Sequence, residues 1–275
     1  MNKSHKSVLL IAILLAVTPI QSQLAEDENI PAILSENPVD SHLLKLVAAL
    51  SEQAHFSRKK VTNELSPFIL INFLEKLDPV KMYFTRSDIR YFQRYRFKID
   101  DALKQGNLEP IYDIFRIYRL RVQQRLGFCV NLLLTQDHNF ESDGSYDFNR
   151  QIKNWFDDIE ELENLWQKKT HNDLLTLILA GQSKEIAIEV LEKRYRRFIR
   201  KVNLFDEEDV ISIFLNAFVH TLDPHSNYLN PTQSEEYEIQ MSLSYQGIGA
   251  RLNLADEQVQ VVNIIPGGPA ARDGR

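Results

Sequence analysis

The chain has 275 residues, a formal net charge of −6 and a hydrophobic fraction of 44%. This length allows one large or two medium-sized domains with a sizeable core, and the acidic balance argues against nucleic acid as a partner. The single cysteine, Cys129, excludes an intramolecular disulfide and an all-cysteine metal site. Its place in an amphipathic stretch predicts a small buried hydrophobic residue.

The first 25 residues have the pattern of a secretory signal peptide. Two lysines precede an unbroken apolar run from Val8 to Val17, and Ser22 or Ala25 offers a small residue for cleavage. A run of this length is too short to span a bilayer comfortably. We therefore expect residues 1–25 to be removed, which leaves a periplasmic protein without a stable membrane anchor. An uncleaved N-terminal anchor is the alternative.

A succession of amphipathic helices is predicted after a polar leader over residues 23–40, because apolar residues recur at spacings of three and four. Two of these helices are expected from about residue 155 to 180 and from 183 to 202. The other apolar stripes are Leu43, Leu46, Val47, Leu50 and Ala54; Leu70, Phe73, Leu74 and Leu77; Ile89, Phe92, Tyr95, Ile99 and Leu103; Ile111, Ile114, Phe115, Tyr118, Val122 and Leu126; and Val210, Ile213, Phe214 and Ala217.

Several helix ends carry recognisable signals. Thr85 and Asp88 have the spacing of a capping box, Asp206 is placed to begin a helix whose first turn is acidic, and Gly106 is placed to end one. Strand-like alternation is absent before residue 239. We therefore predict a mainly α fold, with an irregular all-α domain over residues 26–236 and a β-rich segment over residues 237–275.

The β-rich segment has three parts in the sequence. Residues 241–246 alternate like a strand, which breaks at Gly247-Ile248-Gly249. Residues 265–274 predict a strand end, a turn and a short helix that opens at Pro269, with Gly274 placed to end it.

Two strings are specific in combination: Asp-Pro-His-Ser-Asn-Tyr-Leu-Asn-Pro at residues 223–231 and the Gly-Ile-Gly loop. Together they resemble the C-terminal processing proteases, a family that includes the tail-specific proteases. Residues 77–88, 108–115 and 194–198 are also similar to segments of that family, so the resemblance covers nearly the whole mature chain.

The resemblance implies that residues 237–275 begin a PDZ domain. It also implies a serine–lysine dyad in a later domain, so we expect this chain to be the N-terminal part of such a protease, truncated within the PDZ domain, with no catalytic residue and no cofactor. By resemblance, Gly247, Ile248 and Gly249 bind peptide, and Ile248 helps to line an apolar pocket. The implied partners are proteins with apolar C-termini, together with an adaptor protein. For the loop alone, an ordinary strand–bulge–strand is the alternative.

Two other groups of residues invite a chemical interpretation. His220, Asp223 and His225 could bind zinc, but Pro224 breaks the helical register that a His-Glu-x-x-His site needs, so we predict no metal site. Ser226 beside His225 suggests a hydrolase, but neighbours in an extended loop point apart, so we predict no nucleophile there.

The basic run over residues 193–201 could bind an anionic surface. We interpret it instead as the solvated face of a helix whose apolar face is Leu191, Tyr195, Phe198 and Val202, with Glu189 and Glu192 placed to form ion pairs. For the chain as a whole, the alternative function is a non-catalytic helical adaptor or peptide-binding module.

Overall fold

The structure is a computed structural model that describes residues 31, 34–140, 145–150, 153–242, 247–255 and 258–274. The predicted signal peptide and residues 243–246 lie outside this part of the chain. Its helices are α1 (Pro38–Gln53), α2 (Ser66–Leu77), α3 (Arg86–Phe92), α4 (Ile99–Gln105), α5 (Glu109–Thr135), α6 (Ile159–Leu179), α7 (Lys184–Asn203), α8 (Glu207–Leu222), α9 (Pro231–Ser242) and α10 (Pro269–Asp273). A 3-10 turn covers Gln93–Tyr95, and the strands are β1 (Ala250–Ala255) and β2 (Gln258–Ile264).

The predicted mainly α fold is confirmed, and the helix ends explain much of it. Thr85 and Asp88 cap α3 reciprocally, as Asp206 and Asp209 cap α8, so the first backbone N–H groups of both helices have acceptors. Gly106 ends α4 in the left-handed conformation with a φ of +70°. These three predictions from sequence are confirmed.

The core lies where the long helices meet. α5 packs against α6, α7 and α8, while α2 packs along α8 and α1 packs against α4 and α8. Phe73 of α2 and Phe214 of α8 meet edge to face, with ring centroids 5.3 Å apart. Cys129 is fully buried in this core, as its sequence context predicts.

Three predictions about individual elements are wrong. The apolar stripe from Ile89 to Leu103, predicted to lie on one helix, is divided among α3, the 3-10 turn and α4. On α1 the buried residues include Leu44 and Ala48, whereas Leu46 and Leu50 of the predicted stripe are about half exposed. Leucines on both sides of this helix made the apolar stripe ambiguous. The predicted strand at residues 241–246 is also wrong at its start, because Met241 and Ser242 belong to α9.

Helix α9 crosses the domain boundary that we expect at residues 236 and 237, and that boundary stays a prediction. No helix within the described ranges is both long and apolar enough to cross a bilayer.

Candidate peptide-binding site

The Gly247-Ile248-Gly249 loop is held against the turn and the short helix that follow β2. The carbonyl oxygen of Gly249 accepts a hydrogen bond from the backbone N–H of Ile265 at 2.8 Å. The carbonyl oxygen of Ile248 accepts from the backbone N–H of Ala270 at 2.9 Å, in the first turn of α10. The loop is therefore fixed at both residues to a segment about twenty positions later in the chain.

Glycine is required where these two segments cross. Gly249 has a φ of +76°, and a Cβ atom placed on it would lie 2.9 Å from Cδ of Pro269 and 3.1 Å from Cα of Gly268. A Cβ atom on Gly268 would in turn lie 3.1 Å from Cα of Gly249. Both the backbone conformation and the close approach exclude a larger residue at position 249. The structure thus gives a physical reason for the Gly-Ile-Gly pattern.

The side chain of Ile248 is 62% exposed at the tip of this loop. Its neighbours are the exposed Gly247 and the buried Gly249. An exposed apolar side chain flanked by glycines can contact a ligand, and the flanking backbone can approach that ligand closely. The role of Gly247, Ile248 and Gly249 in binding peptide stays a prediction.

The strands beside the loop form an antiparallel hairpin with two chemically different faces. Leu252 pairs with Val261 on one face, whereas Asn253 pairs with Gln260 on the other. The register shifts between Arg251 and Leu252, which is the mark of a β-bulge. Since the sheet has two strands in the described part of the chain, each strand has an edge that could accept a further strand.

The segment over residues 223–230 connects α8 to α9 and is tied to the helical domain. The side chain of Asn216 on α8 bonds both backbone groups of Tyr228: its Nδ2 donates to the carbonyl at 3.0 Å and its Oδ1 accepts from the N–H at 3.0 Å. Asn230 and Gln233 then cap α9 reciprocally. Asn-Pro-x-Gln is a helix-start signal, and the helix that it begins was not predicted from the sequence.

A contact that the sequence did not predict joins this segment to the end of α1. Nε2 of His55 lies 2.9 Å from Oγ of Ser226, across 171 positions of sequence. His225, the neighbour of Ser226 in the sequence, is exposed, and its backbone N–H donates to Oδ1 of Asp223 at 2.6 Å. The structure therefore pairs Ser226 with a different histidine from the adjacent one.

The hydrogen bonds of His55 oppose a role as general base towards Ser226. Two groups of Ser57 face Nδ1 of His55: the backbone N–H donates to it at 3.1 Å, which assigns Nδ1 as the acceptor of the neutral ring, and Oγ lies 2.9 Å away. In the neutral ring the proton is then on Nε2, which donates it to Ser226. A base for a serine nucleophile needs the opposite tautomer, oriented by a group that accepts from Nδ1. The pair is a structural tie.

The residues considered for zinc each have another role. Nε2 of His220 lies 3.1 Å from Oδ1 of Asn227, and Asp223 closes the turn at His225. Within the described residues, no group of three or more histidine, cysteine, aspartate or glutamate side chains is placed to hold a metal ion.

The helical domain also has an open cavity of about 590 Å³ beside α2 and the end of α8. Lys59 lines it, but its ammonium group donates to the backbone carbonyls of Thr221 and Leu222, both at 3.1 Å. Lys59 therefore satisfies the last carbonyls of α8. A second cavity of about 460 Å³ lies under the connecting segment and is lined by Asn216, Tyr228 and Gln233 among others.

Comparisons with known proteins agree with the resemblance seen in the sequence. Residues 46–232 match a family described as the tail specific protease N-terminal domain. The tail-specific protease of Haemophilus influenzae is 28% identical over 247 residues, which is 90% of this chain and 35% of that protein. The carboxy-terminal processing protease CtpA of Bacillus subtilis is 29% identical over 70 residues, 25% of this chain and 15% of that protein. This chain therefore spans about a third of the first relative and less of the second.

Proposed function

Because this chain belongs to the tail-specific protease family, through the N-terminal domain matched at residues 46–232, we propose that it forms the helical and substrate-capturing part of a periplasmic C-terminal processing protease. Its substrates are proteins whose apolar C-terminus is exposed. Residues 237–275 contribute the beginning of a PDZ domain, in which the Gly-Ile-Gly loop receives the terminal carboxylate of the substrate.

The geometry of the glycine loop is the observation that carries this proposal. The loop backbone is pinned by the bonds from Ile265 and Ala270, so it does not have to order itself when a peptide binds. Its apolar side chain, Ile248, points away from the chain's own core. A peptide that adds as a strand beside β1 would bring its last side chain to Ile248 and its carboxylate to the glycines.

We propose that peptide-bond hydrolysis belongs to a region other than the helical domain and the glycine loop. The family resemblance implies a serine nucleophile with a lysine base, in which a lysine kept neutral by its surroundings removes the serine proton. Within the described residues, His55 lies beside two serines, with Nε2 2.9 Å from Oγ of Ser226 and Nδ1 2.9 Å from Oγ of Ser57, and no carboxylate bonds either ring nitrogen to orient it as a base. Capture and cleavage are therefore separate tasks of separate regions.

Peptide binding tests the capture step. We expect the purified chain to bind a fluorescent peptide with an apolar, free C-terminus, and to bind the same peptide with an amidated C-terminus at least tenfold more weakly. Ile248→Asp should weaken binding about tenfold or more, because it removes an apolar contact and repels the carboxylate. Leu120→Asp, at a half-exposed site on α5, makes the same kind of change away from the loop and should have little effect.

Equal binding of the free and amidated peptides would exclude recognition of the carboxylate. If Ile248→Asp and Leu120→Asp lose the same affinity for the peptide, the loop is excluded as the binding site.

Export is tested separately. The predicted signal peptide leads us to expect that protein recovered from the periplasm lacks residues 1–22 or 1–25 by intact-mass measurement. Recovery of the full chain embedded in membrane would overturn the periplasmic assignment.

A further inference from the structure

The basic run on α7 divides into paired and unpaired cations. Nζ of Lys193 lies 2.6 Å from Glu189, and Nε of Arg196 lies 2.9 Å from Glu192, both at a spacing of four residues. The expectation of a solvated, ion-paired face is confirmed for these two residues. The predicted apolar face is buried at Leu191, Tyr195 and Val202, but Phe198 is 36% exposed.

Three exposed cations on the same helix lack such partners. Among the described residues, no carboxylate forms an ion pair with Arg194, Arg197 or Lys201, which we call the basic stripe. Burial raises the pKa of the Asp209 carboxyl, and the nearby Lys201 opposes that shift without forming an ion pair.

Helix stability does not explain the basic stripe. Arg194 and Arg197 are three residues apart, and Arg197 and Lys201 are four apart, so each pair brings like charges together on the helix surface and destabilises the helix. Of the three residues of the basic stripe, Lys201 alone lies in the last turn, where a cation gains from the helix dipole. Arg194 and Arg197 therefore lower the stability of α7.

Two exposed apolar residues continue the basic stripe towards the start of α7. Ile186 is 49% exposed and Val190 is 37% exposed. At about 100° of rotation per residue, these two and the three cations fall within an arc of about 80°. We call Ile186 and Val190 the apolar end of the stripe. One narrow face of α7 thus combines unpaired cations with solvent-facing aliphatic side chains.

We propose that this face of α7 binds reversibly to an anionic phospholipid surface. The cations of the basic stripe contact lipid phosphates, and the apolar end enters the boundary between headgroups and acyl chains. A guanidinium group presents paired donors that match phosphate oxygens. Basic residues near a membrane surface attract anionic lipids, and exposed aliphatic side chains beside them add apolar area that can be buried at the headgroup boundary. This inference is independent of peptide capture by the glycine loop.

Vesicle co-sedimentation tests the proposal. The chain is used without residues 1–25, the form expected after export, so that the apolar run from Val8 to Val17 does not itself enter the lipid. The vesicles contain either phosphatidylcholine alone or phosphatidylcholine with about one third phosphatidylglycerol. We expect binding to the anionic vesicles alone, and loss of that binding at high salt.

The decisive variant is Arg194→Gln, Arg197→Gln and Lys201→Gln combined. At about fivefold for each charge near an anionic surface, it should bind anionic vesicles about 100-fold more weakly. The matched control, Lys45→Gln, Lys98→Gln and Lys168→Gln, removes the same charge from three other exposed positions and should lose much less. Circular dichroism checks that both variants keep their helices.

Ile186→Ser examines the apolar end, and we expect it to weaken vesicle binding about fivefold. Three results would overturn the proposal: no binding of the unaltered chain to anionic vesicles, equal losses in the two triple variants, or an unchanged affinity in Ile186→Ser. Binding to soluble polyglutamate but not to vesicles would assign the basic stripe to an acidic protein instead.

Discussion

Nε1 of Trp155 donates a hydrogen bond to Oδ2 of Asp78 at 3.0 Å, and this bond fixes the segment before α6 to the end of α2. The same carboxylate accepts from the backbone N–H groups of Met82, Tyr83 and Phe84 at 2.7, 3.1 and 3.0 Å. Asp78 is fully buried. One carboxylate therefore accepts the hydrogen bonds of a loop whose backbone N–H groups are not paired within a helix or a sheet.

Replacing this carboxylate should be costly. Asp78→Ala leaves three backbone N–H groups and an indole N–H without their acceptor, and we expect the free energy of unfolding to fall by about 3 kcal/mol or more. Urea unfolding followed by circular dichroism measures this. Glu64→Ala, which removes an exposed carboxylate, should change stability by less than about 0.5 kcal/mol. Similar values for the two variants would refute the role of Asp78.

Two glycines should respond in opposite directions to alanine. A Cβ atom on Gly106 would lie 2.3 Å from the carbonyl oxygen of Ser41, and the φ of +70° disfavours any side chain, so Gly106→Ala should destabilise by about 2 kcal/mol or more. Gly127, on the exposed side of α5, has no heavy atom within 4 Å of an added Cβ. Gly127→Ala should stabilise by about 0.5 to 1 kcal/mol. Thermal unfolding of both variants measures this. A melting temperature that changes in the same direction for both variants would contradict the prediction.

Acid should weaken the packing around His171 on α6. Burial lowers the pKa of His171 below its usual value of 6.5, and the neighbouring His138 adds to this, while a backbone hydrogen bond at Asn139 opposes it. As the pH falls through 6.5, the unfolded chain takes up the proton before the folded chain, so the free energy of unfolding decreases.

The measurement is urea unfolding at pH 7.5, 6.5 and 5.5. His171→Gln should show a smaller loss of stability in acid than the unaltered chain. His42→Gln, at an exposed position on α1, should keep the full loss. Parallel pH profiles for all three proteins would exclude His171 as the source.

Ser226 should be unreactive. Because His55 donates to it, we expect no labelling of Ser226 by a fluorophosphonate probe and no cleavage of a peptide with an apolar C-terminus by this chain. Ser226→Ala should cost about 1 kcal/mol of stability, the value of one hydrogen bond. Peptide mapping by mass spectrometry would reveal a label at Ser226, and such a label or robust hydrolysis would show a real active site there.

Local signals in the sequence predicted local features well. The capping residues Thr85 and Asp206, the helix stop at Gly106 and the helix opening at Pro269 are all confirmed, because each depends on a few neighbouring residues. The sequence marks Gly247 and Gly249 as the point where the predicted strand breaks. The structure adds the specific reason, which is the crossing of Gly249 and Gly268.

Features set by tertiary packing were beyond the sequence. The buried side of α1 depends on where α4 and α8 lie, and leucines on both sides gave no means of choosing. The contact of His55 with Ser226 spans 171 positions, so no spacing rule could predict it. The same holds for the bond between Trp155 and Asp78, whose residues lie 77 positions apart.

Helix α9 has caps at its start but no buried residue along its 12 positions. An isolated helix of that length is marginal in water, since most helical stability comes from a packed face. Tyr237 and Met241 are about half exposed or more, so α9 buries little apolar area against the rest of the described chain. The alternation that suggested a strand at Met241 belongs to the same borderline sequence. The connection between the helical domain and the glycine loop is therefore a helix that is held by the caps at its start and not by a packed face.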